Sequence, residues 1–157
     1  MSASTRLLII GVGNIYRGDD GAGVAVVRHL AGKVPAGVSV IEQSGEGCAL
    51  MDAWEGAERV IIADAVQSGA SPGMIVRIEA HAQQIPSDFF HYSSHAFSLA
   101  EAVEMARALE RLPKRLIVYG IEGENFQSGT QMSPAVNAAV NAVCAQIEKE
   151  CHAEIGS

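Results

Sequence analysis

The sequence predicts an α/β fold, a three-layer sandwich in which a mostly parallel, twisted five-stranded sheet carries helices on both faces. Short apolar runs alternate along the chain with amphipathic segments of helical spacing, which is the pattern of a parallel sheet covered by helices. The run at 59–63 is nearly all apolar, as expected of a strand buried on both faces. The 157 residues are 48% hydrophobic and 18% charged, the composition of an ordinary globular protein, so we expect a single domain over 1–157.

The predicted elements follow one another in a simple order. A first strand over 7–10 leads through a glycine-rich loop into a helix over 20–31, for which Asp19 is the expected N-cap. Further strands are predicted at 38–41, 59–63 (ending at Asp64), 74–79 near an edge, and 115–119 (stopped by Gly120). Further helices are predicted around 50–54, at 97–112, and from Ser133-Pro134 to about 151. The third helix begins either with a capping box at Ser98 and Glu101 or with a cap one turn earlier at Ser94.

Charge and apolar patterning narrow the classes of partner. The formal net charge of −7 argues against a nucleic-acid-binding surface. No apolar run is long enough for a transmembrane helix or a signal peptide, so we expect no membrane insertion and a cytoplasmic location. The three cysteines are odd in number and lack C-x-x-C spacing, which favours free thiols.

The glycine-rich stretch after the first strand departs from the common phosphate-binding patterns. The dinucleotide fingerprint would need a glycine at Tyr16, and no P-loop Gly-Lys-Ser/Thr follows. Two carboxylates, Asp19 and Asp20, would repel a pyrophosphate. A receiver domain also places acids after its first and third strands, but it would need a lysine where this chain has residues 120–122. Nucleotide-binding and receiver-like domains are therefore remote alternatives.

Three ionisable residues fall where parallel α/β sheets bind ligands. Asp20 follows the first strand, Asp64 ends the third, and His95 opens the third helix, on the expected carboxyl side of the fourth strand. Two facing carboxylates repel each other, and a divalent cation relieves that repulsion. Carboxylates with an imidazole suit zinc, nickel or iron better than magnesium. Spacing alone leaves a second interpretation open, in which Asp64 caps a turn and His95 merely starts a helix.

Longer motifs run through the chain in a fixed order. The pattern G-x-G-N-x-x-x-x-D-[DE]-x-x-G spans 11–23, an apolar strand ending in Asp-Ala spans 61–65, and S-x-H-x-x-x-L spans 93–99. Gly-Ile at 120–121 and Met-Ser-Pro at 132–134 follow. In these motifs the chain resembles, over nearly its whole length, the hydrogenase maturation proteases, the nickel-dependent endopeptidases that trim the large subunit of [NiFe] hydrogenases.

The resemblance implies a function and a site. It makes Asp20, Asp64 and His95 both the catalytic residues and the metal ligands. The implied substrate is a hydrogenase large-subunit precursor, already loaded with its nickel-iron centre, that loses a short C-terminal extension. We expect the substrate to supply the nickel, other divalent metals to be able to occupy the site in vitro, and the protease to be a monomer. Whether the metal or an aspartate activates the water stays open.

The turn after the second strand departs from the family pattern. Many members carry a D-G-G-T-type turn, proposed to recognise the substrate, whereas this chain has Gln43-Ser44-Gly45-Glu46-Gly47. Gly45, Glu46 and Gly47 are therefore the candidate substrate-binding residues, and the cognate hydrogenase stays open. A nickel-binding metallochaperone that cuts nothing would need the same metal ligands, and it is the alternative function.

Overall fold

The computed structural model describes residues 7–86, 88–89 and 97–155. Within these residues the strands are β1 (Leu7–Val12), β2 (Val38–Gln43), β3 (Arg59–Val66), β4 (Ile75–Glu79) and β5 (Arg115–Glu122). The helices are α1 (Ala22–Leu30), α2 (Gly47–Trp54), α3 (Leu99–Ala108) and α4 (Pro134–Ile155), and a 3₁₀ turn (Gly18–Gly21) precedes α1.

The strands form one sheet in the order β2-β1-β3-β5-β4. The first four strands in this order are parallel, and β4 runs antiparallel to β5 at the edge. Only residues 67–74 connect β3 to β4, and a parallel strand would need a crossover of about a dozen residues or more. The prediction of a mostly parallel five-stranded sheet is confirmed.

The direction of β4 corrects one expectation. Glu79, the last residue of β4, pairs with Ile117 near the amino end of β5. The chain therefore leaves β4 at the amino edge of the parallel strands. The expected carboxyl side of the fourth strand is thus the amino edge of the parallel strands. His95 itself lies outside the described residues, so its place stays a prediction.

Two apolar layers cover the sheet. Because successive side chains of a strand point to opposite faces, Ile9 packs with α1 and α4, whereas Ile10 packs with α2 and α3. Trp54 of α2 is 2% exposed and anchors the second layer. Helices on both faces confirm the three-layer sandwich.

Two strands extend beyond their predicted ends. β3 continues to Val66, so Asp64 lies inside the strand and pairs in register with Gly120. Gly120 does not stop β5, because the strand continues to Glu122. A Cβ atom at Gly120 would lie 2.9 Å from a methyl carbon of Val66, so the glycine makes room for that side chain instead of ending the strand.

A polar cluster joins α4 to the sheet. Glu150 accepts hydrogen bonds from Arg77 (2.8 Å) and from the Tyr119 hydroxyl, and it lies 3.8 Å from the Arg115 guanidinium. Since Arg115 begins β5, the cluster is displaced toward the amino ends of the parallel strands. Among the described residues, no helix is both long and apolar enough to span a membrane.

Candidate active site

The crevice of interest lies between β1 and β3. β2 flanks β1 on one side and β5 flanks β3 on the other, so the connections that leave the carboxyl ends of these two strands diverge and open a crevice. Asp20 lies in the 3₁₀ turn that follows β1. Asp64 lies one position beyond Ala63, which is in register with Gly11 of β1. The strand order therefore places both predicted acids at the same crevice.

The segments that carry the two acids are packed against each other. The 3₁₀ turn lies against β3. At the start of α1, a Cβ atom on Gly23 would lie only 2.2 Å from the Ala63 carbonyl oxygen. Asp20 and Asp64 are both buried, with 6% and 3% of their surface exposed. Two buried carboxylates therefore lie beside each other's segments where parallel α/β sheets bind ligands, which makes this crevice the candidate site.

The loop before Asp20 is a tight turn. The Asn14 N–H donates to the Asp20 carbonyl oxygen (3.2 Å), and the Asp20 N–H donates to the Arg17 carbonyl oxygen (3.1 Å). Gly13 has a φ of 141°, and a Cβ atom there would lie 1.9 Å from the Asp20 carbonyl oxygen, so only glycine fits. The Arg17 guanidinium lies 3.7 Å from Asp20 Oδ2, so the two side chains form an ion pair within the loop.

Asp19 does not cap α1, contrary to the prediction. Gly21 holds the N-cap position without a side-chain hydrogen bond, and the fully buried Asp19 carboxylate accepts four hydrogen bonds of 2.7–3.0 Å from Glu124 N, Asn125 N, Ser133 N and Ser133 Oγ. Burial acts to raise the pKa of Asp19, but these bonds together hold its pKa below the ordinary value. Because the partners lie 105–114 residues away in the chain, no local pattern could have identified this role.

The turn after β2 has clear structural roles. The Glu46 side chain caps α2 by accepting hydrogen bonds from Cys48 N (2.9 Å) and Ala49 N (3.0 Å). Gly47 packs against Phe97, to whose carbonyl oxygen its N–H donates (2.8 Å). Gly45 adopts a φ of 104°. Contact of these three residues with a substrate stays a prediction.

His95 lies outside the described residues. The described residues before and after segment 90–96 both contact chain that has left the carboxyl end of a parallel strand. The Phe89 carbonyl oxygen accepts a hydrogen bond from Gln67 N (2.8 Å), directly after β3, and the Phe97 carbonyl oxygen accepts one from Gly47 N, at the start of α2 and four residues beyond β2. The chain has therefore returned from the amino edge, where β4 ends, to the edge that carries the acids.

The two carboxylates of the crevice can act as ligands of a divalent cation. In the described part of the chain no three His, Cys, Asp or Glu side chains lie close enough together to hold one. Asp20 and Asp64 offer carboxylate oxygens, and His95 would add the nitrogen ligand that nickel and zinc accept. Cys144 and Cys151 are buried along α4, in the apolar layer that α4 shares with α1.

Cys48 lacks the features of a nucleophile. It lies exposed in the first turn of α2. The charge of the neighbouring Glu46 raises the pKa of its thiol, whereas reactive cysteines depend on a lowered pKa.

Comparison with known proteins gives a consistent result. A family model described as "HycI: Hydrogenase maturation protease" matches residues 24–150. The hydrogenase 2 maturation protease of Escherichia coli (strain K12) is 30% identical over 148 residues, which cover 90% of this chain and 88% of that protein.

Solved structures extend the likeness to the fold. The hydrogenase maturating endopeptidase HybD from E. coli has a TM-score of 0.75 at 26% identity, covering 96% of this chain and 94% of that chain. The [NiFe] hydrogenase maturation protease HybD from Thermococcus kodakarensis has a TM-score of 0.67 at 28% identity, covering 93% and 99%. The family expected from the motifs is confirmed: this chain belongs to the hydrogenase maturation proteases and is a peptidase.

Proposed function

We propose that this peptidase removes a short C-terminal extension from the large-subunit precursor of a [NiFe] hydrogenase after the nickel-iron centre has been inserted. It would act in the cytoplasm as a monomer, because a protease that embraces a folded partner needs its crevice free. The observation that carries the proposal is the pair of buried carboxylates, Asp20 and Asp64, on two segments packed together at the carboxyl edge of the sheet.

The carboxylates supply the proton chemistry in this proposal. Hydrolysis needs a base that takes a proton from the attacking water and returns it to the leaving amine, and a base does this within hydrogen-bond reach, about 2.6–3.2 Å. Either Asp20 or Asp64 would act as this base, and both would be ligands of the metal. The metal, when bound, would polarise the scissile carbonyl and acidify the water.

His95 completes the proposed triad. It precedes Phe97 by two residues, a distance that an extended chain spans in at most about 7 Å. The Phe97 carbonyl oxygen accepts a hydrogen bond from Gly47 N, at the start of α2 and four residues beyond β2, which supports a place for His95 near the carboxyl ends of the strands. An imidazole there would add one nitrogen ligand to the two carboxylates. We expect His95→Ala to lose cleavage, and an active His95→Ala variant would remove His95 from the triad.

The ligand set suits a metal that arrives with the substrate. Two carboxylates and one imidazole leave coordination positions open, and ligands of the precursor itself would fill them. The nickel would then act as a checkpoint, because an unloaded precursor lacks the atom that docks it. Equal cleavage rates for loaded and nickel-free precursor would exclude this checkpoint.

The turn at 43–47 is the proposed recognition element for the precursor. It adjoins the loop of Asp20, since Gly13 N donates to the Gln43 carbonyl oxygen at 3.0 Å. Replacing residues 43–47 by an Asp-Gly-Gly-Thr-type turn is expected to change the ratio of kcat/KM between precursors of different hydrogenases. An unchanged ratio in a folded variant would exclude Gly45, Glu46 and Gly47 from recognition.

A cleavage assay tests the function directly. The purified protein is mixed with the nickel-loaded precursor from the same genome, and mass spectrometry follows the C-terminus of the precursor. We expect loss of a short peptide, and no loss from nickel-free precursor. Binding without any change in mass would instead support the metallochaperone.

Cys48→Ser is expected to leave the cleavage rate unchanged. The thiol is exposed and the charge of Glu46 raises its pKa, which is the opposite of the lowered pKa on which reactive cysteines depend. The measurement is the single-turnover rate of both proteins on the same precursor. A loss of about a hundredfold or more, on the scale of a removed nucleophile, would show that the cysteine takes part.

A further inference from the structure

Two loops at the carboxyl edge are joined through one residue. We call residues 13–21 the site loop and residues 123–133 the β5–α4 loop. Asp19 of the site loop accepts four hydrogen bonds from the β5–α4 loop through its carboxylate, and its own N–H donates to the Asn125 carbonyl oxygen at 2.8 Å. One buried side chain therefore carries most of the polar contacts described between these loops.

Small residues let the two loops approach closely. A Cβ atom on Gly18 would lie 2.4 Å from the Asn125 carbonyl oxygen, and one on Gly123 would lie 2.9 Å from Cβ of Asp19. Gly129 N donates to the Tyr16 carbonyl oxygen at 2.8 Å. The β5–α4 loop therefore packs closely against the turn that carries Asp20.

We propose that Asp19 is a positioning residue for the cleavage reaction, which holds Asp20 in place by tying the site loop to the β5–α4 loop and to Ser133 at the start of α4. The inference rests on the proposed role of Asp20. It assigns Asp19 no contact with the substrate or the metal.

The backbone contacts of Asp20 explain why this tie is needed. The hydrogen bonds from Asn14 N to Asp20 and from Asp20 N to Arg17 both lie within the site loop, so they fix the shape of the loop but not its place on the sheet. Asp19 is the adjacent residue and reaches outside the loop. A displacement of about 1 Å in a reacting group costs about a hundredfold in rate, so a loosened site loop would slow the chemical step while the substrate still binds.

Two graded variants test the proposal. Asp19→Asn keeps the size of the side chain but replaces one acceptor oxygen by an amide N–H group. That group then faces at least one of the four hydrogen-bond donors that bind the carboxylate. We expect kcat to fall about tenfold to a hundredfold, with KM unchanged. Ser133→Ala removes only the hydroxyl donor and should lower kcat less. Both residues belong to the same set of hydrogen bonds. The fold-decrease in kcat of the double variant should therefore be smaller than the product of the two single fold-decreases.

Glu150→Gln is the matched control. Glu150 is also a carboxylate with little exposure, and it is bound by Arg77 and Tyr119 in the cluster displaced toward the amino ends of the strands. We expect this variant to lower the melting temperature without lowering kcat. If Asp19 contributed only to stability, Asp19→Asn would behave like Glu150→Gln: its melting temperature would be lower and its kcat would equal that of the wild-type protein.

The outcomes separate this inference from the proposed function. If the wild-type protein cleaves the precursor and Asp20→Asn does not, an Asp19→Asn variant with wild-type kcat overturns the positioning role alone. If Asp20→Asn itself stays active, the role of Asp20 fails and the positioning role fails with it. Reduced kcat in Asp19→Asn, with unchanged KM and a wild-type kcat in Glu150→Gln, supports the inference.

Discussion

Asp64→Asn is expected to abolish cleavage of the nickel-loaded precursor, with kcat lower by about a thousandfold or more, in a protein that still folds. The change keeps the size of a side chain that is 3% exposed inside β3 and removes its negative charge. A neutral amide neither accepts the proton from water nor favours a bound cation. General acid–base catalysis alone is worth about 10²- to 10⁴-fold, and a lost metal ligand adds to that.

The exposed Asp52 on α2 provides the control. Asp52→Asn makes the same chemical change away from the crevice, and we expect wild-type kcat. Single-turnover cleavage followed by mass spectrometry gives the rates, and circular dichroism melting verifies that both variants are folded. An Asp64→Asn protein that cuts within about tenfold of the wild-type rate would show that Asp64 is not the catalytic carboxylate.

Gly23→Ala is expected to destabilise the fold by about 3 kcal/mol or more, or to prevent folding altogether. The added Cβ atom would lie 2.2 Å from the Ala63 carbonyl oxygen and 2.4 Å from the Val12 carbonyl oxygen. Both contacts are backbone atoms of central strands, which cannot turn aside as a flexible side chain would. Helix α1 would have to move away from the sheet, and the segment that carries Asp20 would move with it.

Gly56→Ala separates crowding from backbone strain. Gly56 has a φ of 82° and nothing lies within 4 Å of its added Cβ atom, so the substitution should cost only about 1 kcal/mol of conformational strain. Urea unfolding gives the free energies of both variants. If both variants lost the same free energy of unfolding, α1 could move away from β1 and β3 at little cost. The close contact of Gly23 with these strands would then not hold the two acids together.

The sequence by itself determined the class of the fold and the family. Strand and helix periodicities are local properties, so the alternation of strands and helices was readable, as was the capping box in which Ser98 N donates to Glu101 at 2.9 Å. Asp20 was predicted correctly to follow the first strand, whereas Asp64 lies inside β3 and not at its end. Both carboxylates are buried near the carboxyl ends of adjacent parallel strands, and their part in the reaction stays a prediction. The role of His95 stays a prediction.

Only the tertiary structure decided the direction of β4, the extent of β3 and β5, and the role of Asp19. β4 runs antiparallel because its connection from β3 is too short for a parallel crossover. Gly120 lies inside β5 and does not end it, since the missing side chain leaves room for Val66 of the neighbouring strand. Asp19 has the local sequence of a helix cap, yet its partners lie more than a hundred residues away. Hydrogen bonds to distant loops depend on how the elements pack, and a local pattern contains no information about that packing.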